Sequence, residues 1–204
     1  MYSRAFGPPE VPAELRPVFR TLRRGTVAVD CGANVGNVTA LLAERGAEVY
    51  AFEPNPAAFH VLERRFAGRP AVHCLQKAVA AMAGTSRLYL HVDANDDPVG
   101  WSAGSSLLQE KPNVDPGTCI EVETVDLDAF LAGLGRPVAV LKLDVEGAEI
   151  EILERLLDTG RLGDVWNVLV EMHDRKVPGL AERGAALRRR LDDERYAHVR
   201  LDWV

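Results

Sequence analysis

The sequence predicts an α/β fold in which helices cover both faces of a mostly parallel β-sheet. Its clearest sign is the apolar run 27–29, which ends in Asp30 and breaks at once into a glycine-punctuated turn. Strand and helix patterns then alternate between residues 26 and 68, and crossover helices imply parallel strands. Residues 165–171 are nearly all apolar, as expected of a central parallel strand. These patterns indicate a sheet that receives a ligand at the carboxyl ends of its strands.

The amino-terminal segment is expected to form a short helix after an irregular start. Residues 1–12 are marked by proline and glycine, which disfavour regular structure. Apolar residues between 15 and 22 recur at helical spacing before Gly25 ends the pattern. We expect segment 1–25 either to cap the ligand site or to pack on the sheet.

The elements of the main sheet follow from hydrophobic periodicity and from the residues that begin or end helices. Asn55 is a suitable N-cap and Pro56 a suitable first helical residue, so a helix begins there. We predict strands at 26–30, 48–52, 71–75, 138–143, 165–171 and 197–203, and helices from the glycine turn to Gly46, from residue 56 to Gly68, at 126–134, after Asp144 up to Gly160, and at 180–191.

The pattern changes in the middle of the chain. Residues 87–92 and 118–124 alternate in strand fashion with no helical stretch between them, which predicts an antiparallel pair inserted at the sheet. Between them, residues 93–117 form a long polar loop, and loops of that length are typical of functional lids or of disordered segments. We expect this loop to contact substrate, with plain mobility as the alternative. The side chains suited to line an acceptor pocket are Trp101, Ser102, Ser105 and Ser106.

Composition fits one soluble domain, 1–204, and limits the classes of partner. Hydrophobic residues make up 47% and charged residues 26% of the chain, which argues against disorder. The net charge of −6 makes nucleic acid an unexpected partner, because nonspecific binding needs a basic face. The arginines at 188–190 are expected to form a solvated helix face.

Cysteine usage and hydropathy indicate a cytoplasmic protein. Cys31, Cys74 and Cys119 are odd in number, far apart and without a CxxC pair, which favours a reducing compartment. The chain has no apolar run approaching the roughly 18 residues of a membrane span, and its start has no signal-peptide core. We therefore expect no membrane association.

The glycine turn and the following strand end predict a nucleoside-bearing cofactor. Gly32 and Gly36 let the backbone approach a ligand, but Asn34 stands where the dinucleotide fingerprint has its middle glycine. A ligand without a pyrophosphate is therefore favoured. Glu53 follows Gly32 by 21 residues, at a strand end where a carboxylate can accept both ribose hydroxyls.

Two further positions are candidates for the same site. Asp30 and Asp144 end neighbouring strands and could hold a cationic group of the ligand, although Asp30 could instead only cap the turn. Ala78 lies just past the third strand, where an adenine ring needs an apolar wall.

Seven short segments together resemble the FkbM family of S-adenosylmethionine-dependent methyltransferases. They are VDCGANVG, EPNP, AVA, SSLL, TVDLDAF, KLDVEGAE and VEMH, which occur in order from about residue 27 to residue 173. The resemblance implies a Rossmann-like class I methyltransferase fold and O-methylation of a small-molecule hydroxyl, of sugar or natural-product type, with S-adenosylhomocysteine as product. It places Asp30, Gly32, Asn34, Gly36, Glu53 and Ala78 at the cofactor, and Asp144 and Glu146 between cofactor and acceptor. Asn37, Pro54 and Asn55, which adjoin the two turns, complete the expected cofactor-binding set.

The expected reaction is direct displacement by an acceptor hydroxyl, whose proton must be removed as the bond forms. His173 is the predicted general base, with substrate contact or a structural role as alternatives, and Asp144 or Glu146 could serve instead. We predict no metal, because no spacing demands one. A group that could nevertheless hold magnesium comprises Asp144, Glu146, Glu171, His173 and Asp174.

The carboxyl end departs from the family pattern. Methyltransferases of this fold usually finish with two strands, the last antiparallel, and only 197–203 is available here. The sheet is then either shortened or completed by a partner, such as a second copy. This leaves open a catalytically impaired module that binds cofactor or a partner. A nicotinamide-dependent oxidoreductase is disfavoured by the missing glycine and by the absence of a Tyr-x-x-x-Lys pair, and an RNA methyltransferase by the acidic charge.

Overall fold

A computed structural model describes residue 13 and residues 15–203 of the chain. Within these residues six α-helices flank two β-sheets. The helices are α1 (Arg16–Phe19), α2 (Asn37–Ala43), α3 (Pro56–Phe66), α4 (Leu127–Leu134), α5 (Glu149–Asp158) and α6 (Ala181–Asp193). The strands are β1 (Val27–Cys31), β2 (Glu48–Phe52), β3 (Val72–Leu75), β4 (Ala78–Ala80), β5 (Gly84–His91), β6 (Val114–Asp126), β7 (Val138–Leu143), β8 (Val168–Val170) and β9 (Val199–Arg200).

The main sheet has six parallel strands in the order β3-β2-β1-β7-β8-β9, which confirms the predicted parallel α/β architecture. Strand β1 lies at the centre, with Asp30 beside Ala51 of β2 and beside Lys142 of β7. The chain builds the sheet outward from β1 in one direction and then returns to build it in the other. The order therefore reverses between β1 and β7, and such a switch point opens a crevice at the carboxyl ends of the strands.

Helices cover both faces of this sheet because its central strands are apolar on both sides. All residues of β1 and β7 are buried. Val27 and Val29 point toward a cluster built with α4, α5 and α6, whereas Ala28 packs with α1 and α2. Leu62 of α3 packs against Ala51 of β2. This arrangement fixes the strand ends on which the candidate site is built.

The antiparallel pairing predicted for the middle of the chain is confirmed, but its placement is corrected. Strands β5 and β6 pair in antiparallel fashion, and β4 joins β6 in parallel, so the pair belongs to a separate three-stranded sheet. The short β4 carries too few residues for a period to be visible in the sequence. Strand β6 also begins at Val114, inside the predicted loop 93–117, because its first residues continue the ladder with β5 beyond a register shift at Tyr89 and His91.

The outer strands are shorter than predicted. Only Val168–Val170 of the apolar run 165–171 pairs continuously, and the last strand is limited to Val199–Arg200. Its pairing with β8 is parallel, and the described residues add no antiparallel strand at this edge. Trp203 instead turns inward and packs on Phe19 of α1.

The helix predicted near the amino terminus is present but shorter than expected. Helix α1 spans four residues of the predicted 15–22, and its apolar side chains pack on the main sheet. The irregular segment predicted for residues 1–12 lies outside the described residues. Among the helices that the structure describes, none combines the length and the apolar character that a bilayer span requires.

Candidate active site

The glycine turn after β1 joins the ends of three strands. The N–H groups of Gly32 and Ala33 both donate to the carbonyl of Phe52, at 3.0 and 2.8 Å, which ties the turn to β2. Gly32 has φ +77°, and a Cβ at this position would overlap the backbone carbonyl of Asp144 at the end of β7. At Gly36 a Cβ would meet Phe66 and Leu62 of α3. Both glycines are therefore required by packing within the protein as well as by room for a ligand.

Glu53, at the end of β2, lies directly against this turn. Its Oε2 accepts a hydrogen bond from the N–H of Asn34 at 2.7 Å, and its Oε1 accepts one from the N–H of Asn55 at 2.8 Å. The side chain is almost fully buried, and this burial raises its pKa to about 7 despite the two backbone donors. The carboxylate is thus held at the place predicted for it, with lone pairs left to receive further donors.

A first cavity of about 260 Å³ lies over the carboxyl ends of β1, β2 and β7. Seven of the predicted site residues line it: Gly32, Asn34, Glu53, Pro54, Ala78, Asp144 and Glu146. Its apolar wall comes from the second sheet and the loop, through Val79, Leu88 and Leu107. The sequence predicted only Ala78 for an apolar wall, although Val79 and Leu107 lie within the AVA and SSLL segments.

Asp30 supports the site from behind and does not line the cavity. Its side chain is fully buried, and its Oδ2 accepts a hydrogen bond from the hydroxyl of Thr39 at 2.7 Å. Its Oδ1 lies 3.5 Å from the Nζ of Lys142 and has no hydrogen-bond partner among the described residues. In this geometry Asp30 lies behind the residues that line the cavity, and its direct contact with a cofactor stays a prediction.

Three more predicted cofactor ligands shape the walls of the cavity from outside it. Gly36 precedes α2, and the side chain of Asn37 accepts a hydrogen bond from Arg65 at 2.7 Å. Asn55 caps α3 through the N–H of Ala57, as the sequence predicted. In this geometry these residues position the two turns, and their contact with a ligand stays a prediction.

Lys142 is the buried cation that links the strand ends. Its Nζ donates to the carbonyls of Gly32 at 2.7 Å and Cys31 at 3.2 Å, and it lies 3.2 Å from the carboxylate of Asp144. Burial on its own disfavours the ammonium, but Asp144 and Asp30 outweigh it and raise the pKa of Lys142. From the sequence, Lys142 was recognised only as a lysine within an apolar strand, and its contacts with Gly32, Cys31 and Asp144 were not predicted.

His173 is enclosed by carboxylates. Its Nδ1 lies 3.0 Å from Glu149, and its Nε2 lies 3.1 Å from Glu146 and 3.5 Å from Glu171. Burial alone would lower the pKa, but Glu146 and Glu149 outweigh it and raise the pKa of His173 to about 10. At neutral pH both ring nitrogens therefore carry protons that are already donated. The contact with Glu146 suits the structural role that the sequence left open, and the role of His173 as general base stays a prediction.

Glu146 occupies an unusual position between these groups. Its backbone has φ +60°, a conformation that costs energy for a residue with a side chain. The carbonyl accepts a hydrogen bond from the hydroxyl of Ser106 at 2.6 Å, and the carboxylate pairs with the nearly buried ammonium of Lys111 and with His173. Burial alone would raise the pKa of Glu146, but these two cations outweigh it and lower the pKa. Glu146 is thus an ionised carboxylate at neutral pH.

One group of side chains has metal-ligand character. Ligand atoms of Asp144, Glu146 and His173 all lie within 4.8 Å of one another. The ammonium groups of Lys142 and Lys111 already contact Asp144 and Glu146, so the protein itself supplies cations to this group. The expectation that no metal binds here remains a prediction.

The serines of the long loop fasten it over the glycine turn. Ser102 accepts a hydrogen bond from the side-chain amide of Asn34 at 2.9 Å, and Ser105 accepts one from Asn55 at 3.3 Å. Ser102 and Ser105 line the first cavity, while Ser106 is buried against Glu146, and their place in an acceptor pocket stays a prediction. These contacts favour the substrate-loop interpretation over plain mobility.

The free energy of unfolding should depend on pH through the charge on His173. Because its pKa rises from 6.5 to about 10 on folding, the folded protein keeps a proton that the unfolded chain releases above pH 6.5. This contribution is fully present below pH 6.5 and is lost as the pH rises toward 10. We expect the free energy of unfolding to fall by about 2 kcal/mol between pH 6.5 and about 8.5 from this group.

Urea unfolding at several pH values checks this expectation. The variant His173→Gln should lack that part of the slope, whereas titrating groups that do not contact His173 act equally in both proteins. An equally steep decline in the wild type and the variant would contradict the charged state assigned to His173.

The comparisons with known proteins identify the family. The sequence model described as the methyltransferase FkbM domain matches residues 30–197. Methyltransferase 1 of Beauveria bassiana (strain ARSEF 2860) is 31% identical over 173 residues, which cover 72% of this chain and 65% of that protein. The match thus spans somewhat less than two thirds of that relative's length.

Solved structures show more distant similarity. A Clostridium thermocellum protein provisionally assigned as an rRNA methylase is 13% identical, with a TM-score of 0.48, over 89% of this chain and 79% of that one. An rRNA methylase from Streptococcus thermophilus is 21% identical, with a TM-score of 0.29, over 34% of this chain and 42% of that one. The family match covers most of the chain and includes the strand ends described above. The protein therefore belongs to the FkbM methyltransferase domain family.

Proposed function

We propose that this protein is an S-adenosylmethionine-dependent O-methyltransferase that acts on a hydroxyl of a small molecule. The observation that carries the proposal is the buried carboxylate of Glu53, fixed by the backbone of Asn34 and Asn55 at the floor of the first cavity. Two oxygens presented side by side in this way suit the two hydroxyls of a ribose. The resemblance to the family suggests an acceptor of sugar or natural-product type, and the free cysteines fit a cytoplasmic setting.

The residues around Glu53 fit the rest of such a cofactor. Ala78, Val79 and Leu88 form an apolar wall suited to an adenine ring. Asp144 lies across the cavity, about a quarter exposed, and offers a carboxylate to a cationic group. When bound, S-adenosylmethionine supplies a methyl group on a sulfonium, whose sulfur keeps the bonding electron pair when the acceptor oxygen takes the methyl.

The protein must orient the acceptor hydroxyl and take its proton. Glu146 lines the cavity as an ionised carboxylate, and Lys111 and His173 fix its direction. We assign the proton to Glu146, with Asp144 as the neighbouring carboxylate that can orient the hydroxyl. His173 is a positioning residue in this scheme. Because a sulfonium is already reactive, most of the rate comes from alignment of the reacting atoms.

Calorimetry with S-adenosylhomocysteine tests the proposal. The wild type should bind, and Glu53→Gln should bind about 10- to 100-fold more weakly, because charge-assisted hydrogen bonds to the ribose are lost. Affinity in the wild type should fall as the pH drops below about 7, since the hydroxyls donate to the ionised form of Glu53. This dependence should be absent in Glu53→Gln.

The matched control is Glu121→Gln, an exposed carboxylate on β6. It should bind as the wild type does. Failure of the wild type to bind S-adenosylhomocysteine would refute the proposal. Binding without methyl transfer to any hydroxylated acceptor would instead favour the catalytically impaired module.

A further inference from the structure

A second cavity adjoins the first and is not explained by the cofactor. It has a volume of about 670 Å³ and is lined by the loop around Trp101, by Lys111 and by Arg175 and Lys176 after β8. Glu146 and Ala103 line both cavities. A molecule in the second cavity would therefore have one end beside the carboxylate to which the proton is assigned.

The charge of this cavity is opposite to that of the chain. Three cationic side chains and one carboxylate line it, although the protein as a whole carries a net charge of −6. Lys111 is bound to Glu146 and to the carbonyl of Gly104, and Lys176 lies 3.2 Å from Glu171. Arg175, in contrast, is exposed and makes no hydrogen bond or ion pair with any residue that the structure describes. Its charge helps to lower the pKa of Asp174, which Arg188 binds, and the N–H groups of its guanidinium can receive an oxyanion.

The wall beside these cations is aromatic. The ring of Trp101 stacks on that of His91, with centroids 4.4 Å apart and planes inclined by 10°. The indole remains 43% exposed where it lines the cavity. A Cβ on Gly104 would overlap the ring of His91. The stacked pair therefore needs a glycine at position 104. An exposed indole supported in this way offers a rigid surface on which a ring can stack.

We propose that the second cavity binds the methyl acceptor, and that this acceptor is a hydroxylated ring compound carrying an oxyanion. Its carboxylate or phosphate binds Arg175, its ring stacks on Trp101, and its hydroxyl reaches Glu146 at the border of the first cavity. This inference rests on the proposed function, since the cavity is assigned to the acceptor of that reaction. It adds the charge and shape by which the acceptor is selected.

The test uses three probes in the presence of saturating S-adenosylhomocysteine. Glucose 6-phosphate and glucuronate carry the two kinds of oxyanion, and methyl glucoside is the neutral match. Binding is followed by NMR through the indole N–H signal of Trp101, which Trp101→Phe identifies among the three tryptophans. We expect at least one anionic probe to shift the indole N–H signal of Trp101 in a saturable way. Comparison of the two dissociation constants then shows whether phosphate or carboxylate is preferred.

Two arginine variants make the test specific. Arg175→Gln should weaken the anionic probe about 10- to 100-fold, as expected for loss of a charge-assisted contact. Arg189→Gln removes an exposed charge from α6 and should leave binding unchanged. The inference is overturned if neither anionic probe shifts the signal, if methyl glucoside binds equally well, or if both variants weaken binding alike. Because binding of S-adenosylhomocysteine is measured separately, failure of this inference is distinct from failure of the proposed function.

Discussion

Replacing Gly32 with alanine is expected to abolish measurable binding of S-adenosylhomocysteine, a loss of at least about 100-fold, and to destabilise the protein by several kcal/mol. The new Cβ would overlap the backbone carbonyl of Asp144, which cannot rotate away as a side chain could. The overlap can be relieved only if the ends of β1 and β7 separate. Two contacts oppose this separation, because the N–H of Asp144 donates to the carbonyl of Cys31 and Lys142 bridges the same strands. The ribose and sulfur ends of the proposed cofactor site would move apart.

Gly68→Ala is the matched control for this variant. Gly68 has nearly the same backbone angle, φ +79°, but a Cβ there would meet no atom within 4 Å. It should show only the cost of a left-handed alanine, about 1 kcal/mol, and should bind as the wild type does. Calorimetry and urea unfolding compare the two variants. Equal behaviour of Gly32→Ala and Gly68→Ala would contradict the role given to the close approach at Asp144.

Replacing Lys142 with methionine is expected to lower the free energy of unfolding by about 3–5 kcal/mol. The substitution removes the cation next to Asp30, whose carboxylate is fully buried. It also leaves the carbonyl of Gly32 without its donor, whereas the carbonyl of Cys31 keeps the N–H of Asp144. A buried carboxylate without a counter-charge is costly because the low-dielectric interior does not solvate it. Chemical denaturation followed by circular dichroism measures the effect.

A second substitution separates charge from packing. Adding Asp30→Asn to Lys142→Met removes the unpaired charge, so the double variant should regain about 1 kcal/mol or more over the single one. Lys77→Met, which breaks the partly exposed pair with Glu123, should cost less than about 1 kcal/mol. If Lys142→Met costs no more than Lys77→Met, the buried network does not stabilise the fold as described.

The main sheet and the contact between the Gly32 turn and Glu53 could be predicted because their signals are local. The turn at Gly32 and the carboxylate of Glu53 belong to one strand–helix–strand unit, so parallel pairing alone brings them together. The predicted helix start at Asn55 holds for the same reason, since its cap involves neighbouring residues. Periodicity and N-cap chemistry are sufficient where partners are close along the chain.

The surroundings of Glu146 could not be derived in this way. Lys111 and Glu146 are brought together by a loop whose path no periodic pattern determines. The pKa of His173 depends on its burial beside Glu146, Glu149 and Glu171, which a reference pKa does not include, and its role as general base stays a prediction. The separate sheet of β4, β5 and β6 was missed because β4 has only three residues.

Glu146 lies between two groups of residues that differ in how well they tolerate substitution. On one side, the glycine turn and the Lys142 network are tied into the buried sheet, where most substitutions lower stability. On the other, Trp101 and Arg175 are exposed side chains whose replacement costs the fold little. Under the function and the acceptor site proposed above, exchange of these exposed groups would alter the choice of acceptor and leave the buried network around Lys142 intact.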